Sequence, residues 1–194
     1  MLGLKRNEVK LVDYNPEWEI YAAQMIEKMW DIFGSMAIDI QHVGSTAIRN
    51  IKAKPDMYII IGIKNMNDAI EILPRLQKIG ITKISNNTEP DTVLCALSDD
   101  IERGMYTLYM HIVLHGCSTW NSNVGFRDYM NAFPQKATEY ELLKISLSKQ
   151  YPKERRAYKN EKIKFFNEIF ASTHFAEWNA TWQILGSIES RQYR

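Results

Sequence analysis

An α+β fold, with a mixed sheet flanked by helices and then a helical C-terminal region, is predicted by three features of this sequence. Met57 to Ile63 is almost wholly apolar, as expected of a central strand covered on both faces. Met105 to Leu114 carries the strongest β pattern in the middle of the chain. Beyond Gly116 the periodicity becomes helical. Strands and helices first and helices afterwards is the α+β order. The expected division is a core over 1–116 and a helical region over 117–194 packed on it.

The elements follow in order. Val9 to Val12 reads as a short strand closed by the polar Asp13 to Asn15. Pro16 at a first helical position, with Glu17 and Glu19 in the first turn, starts a helix that Gly34 ends. Trp18, Tyr21, Ala22, Met25, Met29 and Phe33 fall at helical spacing and form its buried stripe. Ala37 to Val43 is a strand entering the Gly44-Ser45 turn. Met66 to Ile79 is an amphipathic helix ended by Gly80, kinked or broken at Pro74. Ile81 to Ser85 and Asp91 to Ala96 pair around the turn-rich Asn86 to Pro90. Three helices follow, over Ser118 to Phe133, Pro134 to Gln150 and Pro152 to about Ala171. Trp178, Trp182 and Ile184 suggest one more short helix docking on the body.

Composition narrows the class. The chain has 194 residues, enough for one well-packed core. At 45% hydrophobic and 24% charged it is ordinary globular material, and a net charge of +1 gives no global case for nucleic-acid binding. Cys95 and Cys117 have neither metal nor redox spacing, and two cysteines are too few for a disulfide framework. Met1 to Arg6 lacks the apolar core of a signal peptide, and no apolar run approaches a membrane span. A reduced, cytoplasmic protein without a membrane partner is expected.

One stretch carries most of the chemistry. His42-Val43-Gly44-Ser45-Thr46-Ala47 leads through a short link to Lys54-Pro55-Asp56 and the apolar strand. A small-residue turn rich in N–H groups and hydroxyls can cradle phosphate oxygens, and a carboxylate on the neighbouring strand can hold the neutralising divalent ion. Nucleotidyl transfer needs those parts close together. The turn lacks the Lys-Ser/Thr ending of a P-loop.

This segment resembles the signature of the GrpB family, whose fold is nucleotidyltransferase-like (polymerase-β-like). Further matches come in the family's order: Asp13-Tyr14-Asn15-Pro16-Glu17-Trp18, then Met110-His111-Ile112-Val113, then Phe126-Arg127-Asp128-Tyr129 with Pro134. Tyr140 with Lys144, and Tyr158 with Lys162 and Phe165, match its last two helices. The resemblance spans roughly Val9 to Ala171. Two departures stand out. The family's aspartate would fall at position 58, where this chain has Tyr58, and Arg49-Asn50 replaces its usual Pro-Gly. Strand side chains alternate, so Asp56 points the same way as position 58, about 6 to 7 Å further back.

Each candidate has a functional and a structural reading. Gly44, Ser45 and Thr46 are expected to hold phosphate, the alternative being a helix N-cap by Ser45 or Thr46. Lys54, at the family's Lys-Pro position, is expected to neutralise phosphate charge, whereas Arg49 and Lys52 read as solvated loop. Asp56 is the expected ligand for Mg²⁺ and the first catalytic candidate; a single carboxylate is thin for two-metal chemistry. Asp39 reads as an edge residue, and Tyr58 as packing. His42 and His111 are expected to contact phosphate or move protons, His111 as the second catalytic candidate, against a hydrogen-bonded core role for each. Arg127 holds phosphate or scaffolds helix to sheet together with Asp128. Lys144, Tyr158 and Lys162 form the remaining anion-facing set, and Tyr158 and Lys162 share a helical face. Lys153, Arg155, Arg156, Lys159 and Lys164 on the same helix read as a solvated basic face.

The expected function is binding of a nucleoside triphosphate with Mg²⁺, and in an active version transfer of a nucleotidyl group to an acceptor that fold and family do not fix. The alternative, which Tyr58 favours, is a nucleotide- or phosphate-binding module without turnover. A third is an RNA- or protein-interaction surface on the C-terminal basic helix.

Overall fold

The computed structural model describes residues 2–4, 8–84, 91–100 and 105–180. Helix α1 (Glu17–Phe33) is followed by strands β1 (Ala37–Val43) and β2 (Met57–Ile63). Short helices α2 (Met66–Glu71) and α3 (Leu73–Gln77) lead to β3 (Ile81–Lys83), β4 (Thr92–Asp100) and β5 (Met105–Leu114). Helices α4 (Ser118–Ala132), α5 (Pro134–Gln150) and α6 (Arg155–Ala171) complete the named elements. Residues 173–180 are also helical.

The five strands form one mixed sheet in the order β1-β2-β5-β4-β3. β2 and β5 are parallel, and the other pairs are antiparallel. The apolar run Met57 to Ile63 is therefore central, as its composition requires. Alternation sends Met57, Ile59, Ile61 and Ile63, with Leu108, Met110 and Ile112 of β5, into one core. There they meet Trp18, Ala22, Met25, Met29 and Phe33 of α1, the stripe expected from spacing, and Ala69, Ile72 and Leu76 of α2 and α3. Tyr58 and Ile60 point to the opposite face, where Val43 and Val113 pack on Trp120 and Val124 of α4. A third cluster joins Phe126, Tyr129 and Met130 of α4 to Tyr140 of α5 and Ile169 of α6.

Several sequence expectations are corrected. Val9 to Val12 is not a strand; Val12 makes one antiparallel bridge to Ala53, and Val9 packs on Leu147 and Tyr158. Its apolar pattern reflects burial under the helical region and not a ladder. The Met66 to Ile79 segment divides at Ile72, and Pro74 lies in the first turn of α3, where its missing N–H costs nothing. α1 begins one residue after Pro16, and the Asn15 side chain accepts the Glu17 N–H at 3.0 Å. β4 runs on to Asp100, beyond the expected Ala96. Phe175 and Trp178 dock against Tyr129, 5.1 and 5.4 Å between ring centroids. Asn86 to Pro90, Trp182 and Ile184 lie outside the described residues.

Gly62 lets α4 close on the sheet. A Cβ there would meet His115 Cδ2 at 2.8 Å, Trp120 Cζ3 at 2.9 Å and His115 Cβ at 3.0 Å. Gly62→Ala is expected to destabilise the protein by about 2 kcal/mol through overpacking, read as a lower urea midpoint at an unchanged slope.

Candidate functional site

Strand β2 starts from a tight turn. Around Pro55 the Asp56 N–H donates to the Lys54 carbonyl at 2.7 Å, an i to i+2 bond that brings the two flanking side chains together. Lys54 Nζ then donates to Asp56 Oδ2 at 2.8 Å. Arg155 Nη2, from the first turn of α6, donates to the same oxygen at 2.6 Å. The Asp56 side chain is 1% exposed, against 12% for Lys54 and 21% for Arg155, so this three-membered ion cluster is largely out of water. Asp56 Oδ1 is buried with no hydrogen-bond partner among the described residues.

The cluster lies at the floor of a cavity of about 500 Å³ between the Tyr58 face of the sheet and helices α4, α5 and α6. The parallel register sets Tyr58 beside Tyr109, and the rings stack at 5.0 Å and 14°. His111 continues that face two residues further along β5. Tyr58 also explains the turn: Gly44 has φ +79°, and a Cβ on it would sit 3.3 Å from Tyr58 Cβ and Cδ2. Glycine is required there both for its backbone conformation and for the close ring. Ser45 Oγ does not cap its own short helix; it shares a 3.0 Å hydrogen bond with Tyr140 Oη, which also accepts from Lys162 Nζ at 3.3 Å.

The structure thus brings Gly44, Ser45, Lys54, Asp56, His111, Tyr158 and Lys162 to one cavity. It does not bring the other candidates there. His42 Nε2 and Thr46 Oγ1 bond each other at 3.0 Å, bracing the turn from behind. Arg127 spans from Asp128 Oδ1 at 2.7 Å to Gln41 Oε1 and the His42 carbonyl, both at 2.8 Å. It is the scaffold between α4 and β1, because its long side chain reaches back past its neighbour. Lys144 donates to the Lys52 carbonyl, beneath the Tyr140 ring. Asp39 lies on the edge strand, accepting from the Ile40 N–H at 2.7 Å.

One cation read as solvated is corrected: Arg155 is half-buried and lines the cavity with Tyr158 and Lys162. Lys159 is exposed, as expected, but borders the same cavity, and Lys153, Arg156 and Lys164 are exposed away from it. The spacing 155, 158/159, 162, 166 is one helical face, a signal present in the sequence but hidden by the surrounding basic residues. Tyr109 shares strand parity with His111 and was equally discoverable.

Electrostatically the cavity is short of anions. Burial lowers the Lys54 and Lys162 amines to about 8, with Asp56 opposing and neighbouring cations assisting. Burial, helped by Lys162, takes Lys144 well below its ordinary value. Burial and Arg127 hold His42 at about 4, and burial and Lys159 do the same for His111. Tyr58, Tyr140 and Tyr158 are pushed up by burial and stay protonated.

The donor set does not fit Mg²⁺. That ion needs near-octahedral oxygen donors and keeps several waters. Here one carboxylate is committed to two cations, and among the described residues no three His, Cys, Asp or Glu side chains group to hold a metal.

Similarity to known proteins agrees with this architecture. The chain matches the family described as GrpB protein over residues 8–172, and it belongs to that family. It is 35% identical over 170 residues to the glutamate-rich protein GrpB of Alkalihalophilus pseudofirmus, covering 87% of this chain and 98% of that one. It is 28% identical over 168 residues to the UPF0157 protein YqkA of Bacillus subtilis, covering 84% of this chain but 47% of that protein. The structure resembles the crystal structure of the conserved protein GrpB from Enterococcus faecalis, with a TM-score of 0.77, 19% identity, and coverage of 90% and 99%. It also resembles the Cid1 poly(U) polymerase with MgGTP bound, at a TM-score of 0.50 and 11% identity, covering 71% of this chain and 44% of that one. The fold is therefore nucleotidyltransferase-like; at such identity the likeness speaks of fold alone. No described helix is long and apolar enough to cross a membrane.

Asp56→Asn leaves two half-buried cations without their carboxylate, and is expected to cost about 2 kcal/mol by chemical denaturation. An unchanged midpoint would refute the ion cluster as a structural tie. The histidines bring an acid limb. Their folded values near 4 lie below the unfolded 6.5, so between these values the unfolded chain holds more protons. Stability is expected to fall as pH drops from 6.5 to 4, with a shallower slope in His111→Asn; a pH series of thermal midpoints reads it.

Proposed function

We propose that this protein binds a phosphate-bearing small molecule, with nucleotides the first class to test, and holds its phosphates with fixed cations in place of a metal ion. The observation that carries the reading is the convergence of Lys54, Arg155, Lys159 and Lys162 on one cavity whose lining includes, among the described residues, one carboxylate, Asp56. The Gly44-Ser45 turn and its hydroxyl border the same space, and aromatic rings supply an apolar wall for a base or similar ring. An incoming dianion would restore the charge balance that Asp56 only partly supplies. Desolvated ammonium and guanidinium groups gain most from such a partner.

Metal-assisted nucleotidyl transfer is the second reading. The fold favours it, and two cavity-lining atoms, Asp56 Oδ1 and His111 Nδ1, are buried without a hydrogen-bond partner among the described residues. Against it stand Arg155 on the same carboxylate and the Tyr58 ring against Gly44. The RNA-surface reading loses support because part of the basic face of α6 is turned into the cavity, and Lys164 is paired with Glu161 at 2.7 Å.

The test is a thermal-shift series with the ribonucleoside triphosphates and inorganic phosphate, each with Mg²⁺ and with EDTA. A ligand at 100 times its Kd contributes about 2.7 kcal/mol. The expected result is a shift that EDTA leaves in place. A shift that requires Mg²⁺ favours the second reading, and no shift with any of them overturns the first. Lys54 and Lys162 titrate at about 8, and the bound anion favours their charged forms. Binding should therefore take up protons and weaken as pH rises through 8, measurable by calorimetry in buffers of different ionisation enthalpy.

A further inference from the structure

Three lysines, Lys144 buried and Lys54 and Lys162 half-buried, meet around Tyr140 and Tyr158, and two of them are committed. Lys54 donates to Asp56 Oδ2 at 2.8 Å, and Lys144 to the Lys52 carbonyl. Lys162 has no carboxylate partner at ion-pair distance among the described residues; its Nζ donates at 3.3 Å to Tyr140 Oη. The amine lies 5.3, 5.8 and 5.9 Å from the ring centroids of Tyr158, Tyr140 and Phe166. It lines the cavity, together with Arg155 and Lys159.

We propose that Lys162 Nζ is a nucleophile that forms a reversible imine with a phosphate-bearing aldehyde or ketone held in this cavity. The inference rests on the phosphate-binding reading, which supplies the anchor for the other end of the ligand. An amine reacts through its free lone pair, and apolar walls with cationic neighbours are the setting that exposes it. Burial, with Arg155 assisting, brings this amine to about 8, close to working pH.

The step balances without an outside reagent. The neutral Nζ attacks the carbonyl carbon; the C–N bond forms as the C=O π pair moves to oxygen. A proton passes from nitrogen to that oxygen. Tyr140 Oη, bridging Lys162 and Ser45, is placed beside the nitrogen to carry it. A second proton, from the Tyr140 phenol, goes to the resulting hydroxyl as the nitrogen lone pair expels it as water; the phenolate then takes the remaining N–H proton, which gives the neutral imine and restores the phenol. Nothing is oxidised or reduced.

The probe is pyridoxal 5′-phosphate, which carries an aldehyde, a phosphate and a ring suited to the aromatic wall. The full chain is incubated with it at pH 8, reduced with borohydride, and mapped by peptide mass spectrometry. Lys162 should be labelled about ten-fold faster than exposed lysines such as Lys153 or Lys164, since its free-amine fraction is far larger while its intrinsic basicity is lower. The saturable imine absorbance should be lost in Lys162→Arg, which keeps the charge but cannot form the bond. Equal labelling of exposed lysines, faster labelling of Lys54, or no labelling would overturn the inference, and the map on the unmodified chain stands even if the variant fails to fold. Nucleotide thermal shifts without Lys162 labelling would remove the imine alone; absence of both would remove the phosphate reading as well.

Discussion

The Asp56 carboxylate, held at one oxygen by Lys54 and Arg155, is the contact on which the site depends. It joins residues 99 positions apart, the start of the central strand and the first turn of the last named helix. Only when α6 is drawn onto the sheet in this way do Tyr158, Lys159 and Lys162 face strand β2 and enclose a cavity. A buried ion cluster is not a strong source of stability in itself, because desolvation offsets most of the Coulomb gain. Its effect is on geometry: the register of α6 against the sheet is set by where a short, charge-assisted bond can form.

The remaining cations follow from that arrangement. Asp56 faces Lys54, Lys162 and Arg155, and Lys144 has only Glu141 opposing its burial, so burial dominates and the amines titrate low. Each lysine then finds a different settlement. Lys54 takes the carboxylate, Lys144 a backbone carbonyl, and Lys162 a phenol oxygen with three aromatic rings. Rings can stabilise an ammonium group through their quadrupoles, but less than a carboxylate does.

Tyr58 sets the character of the sheet face that borders the cavity. Its ring lies against Gly44, stacks on Tyr109 and sits 6.2 Å from the His111 ring. An aromatic ring there makes this part of the strand face an apolar wall. The glycine turn is retained, now supporting a ring as well as the backbone conformation. A fold does not fix a chemistry, so the reading of function rests on the side chains of the site.

Local pattern was sufficient wherever burial was decided within one element. The α1 stripe, the central strand and the three long C-terminal helices follow from 3.6- and 2-residue periodicities, and the Gly44-Ser45 turn, Lys54 and Asp56 from their adjacency to the strand. The resemblance to the GrpB family added the order of those pieces. What a single chain segment cannot express is which face of a charged helix meets another element. Arg155 and Lys159 were indistinguishable from Lys153 and Arg156 until α6 met the sheet. Arg127 could equally have met a ligand until its partners on β1 were in place. Val9 to Val12 looked like a strand because burial under a helix leaves the same apolar signature as burial in a ladder. Composition and periodicity determine which residues avoid water; only the tertiary structure decides which charges are left facing one another when they do, because pairing depends on contacts between residues far apart in the chain.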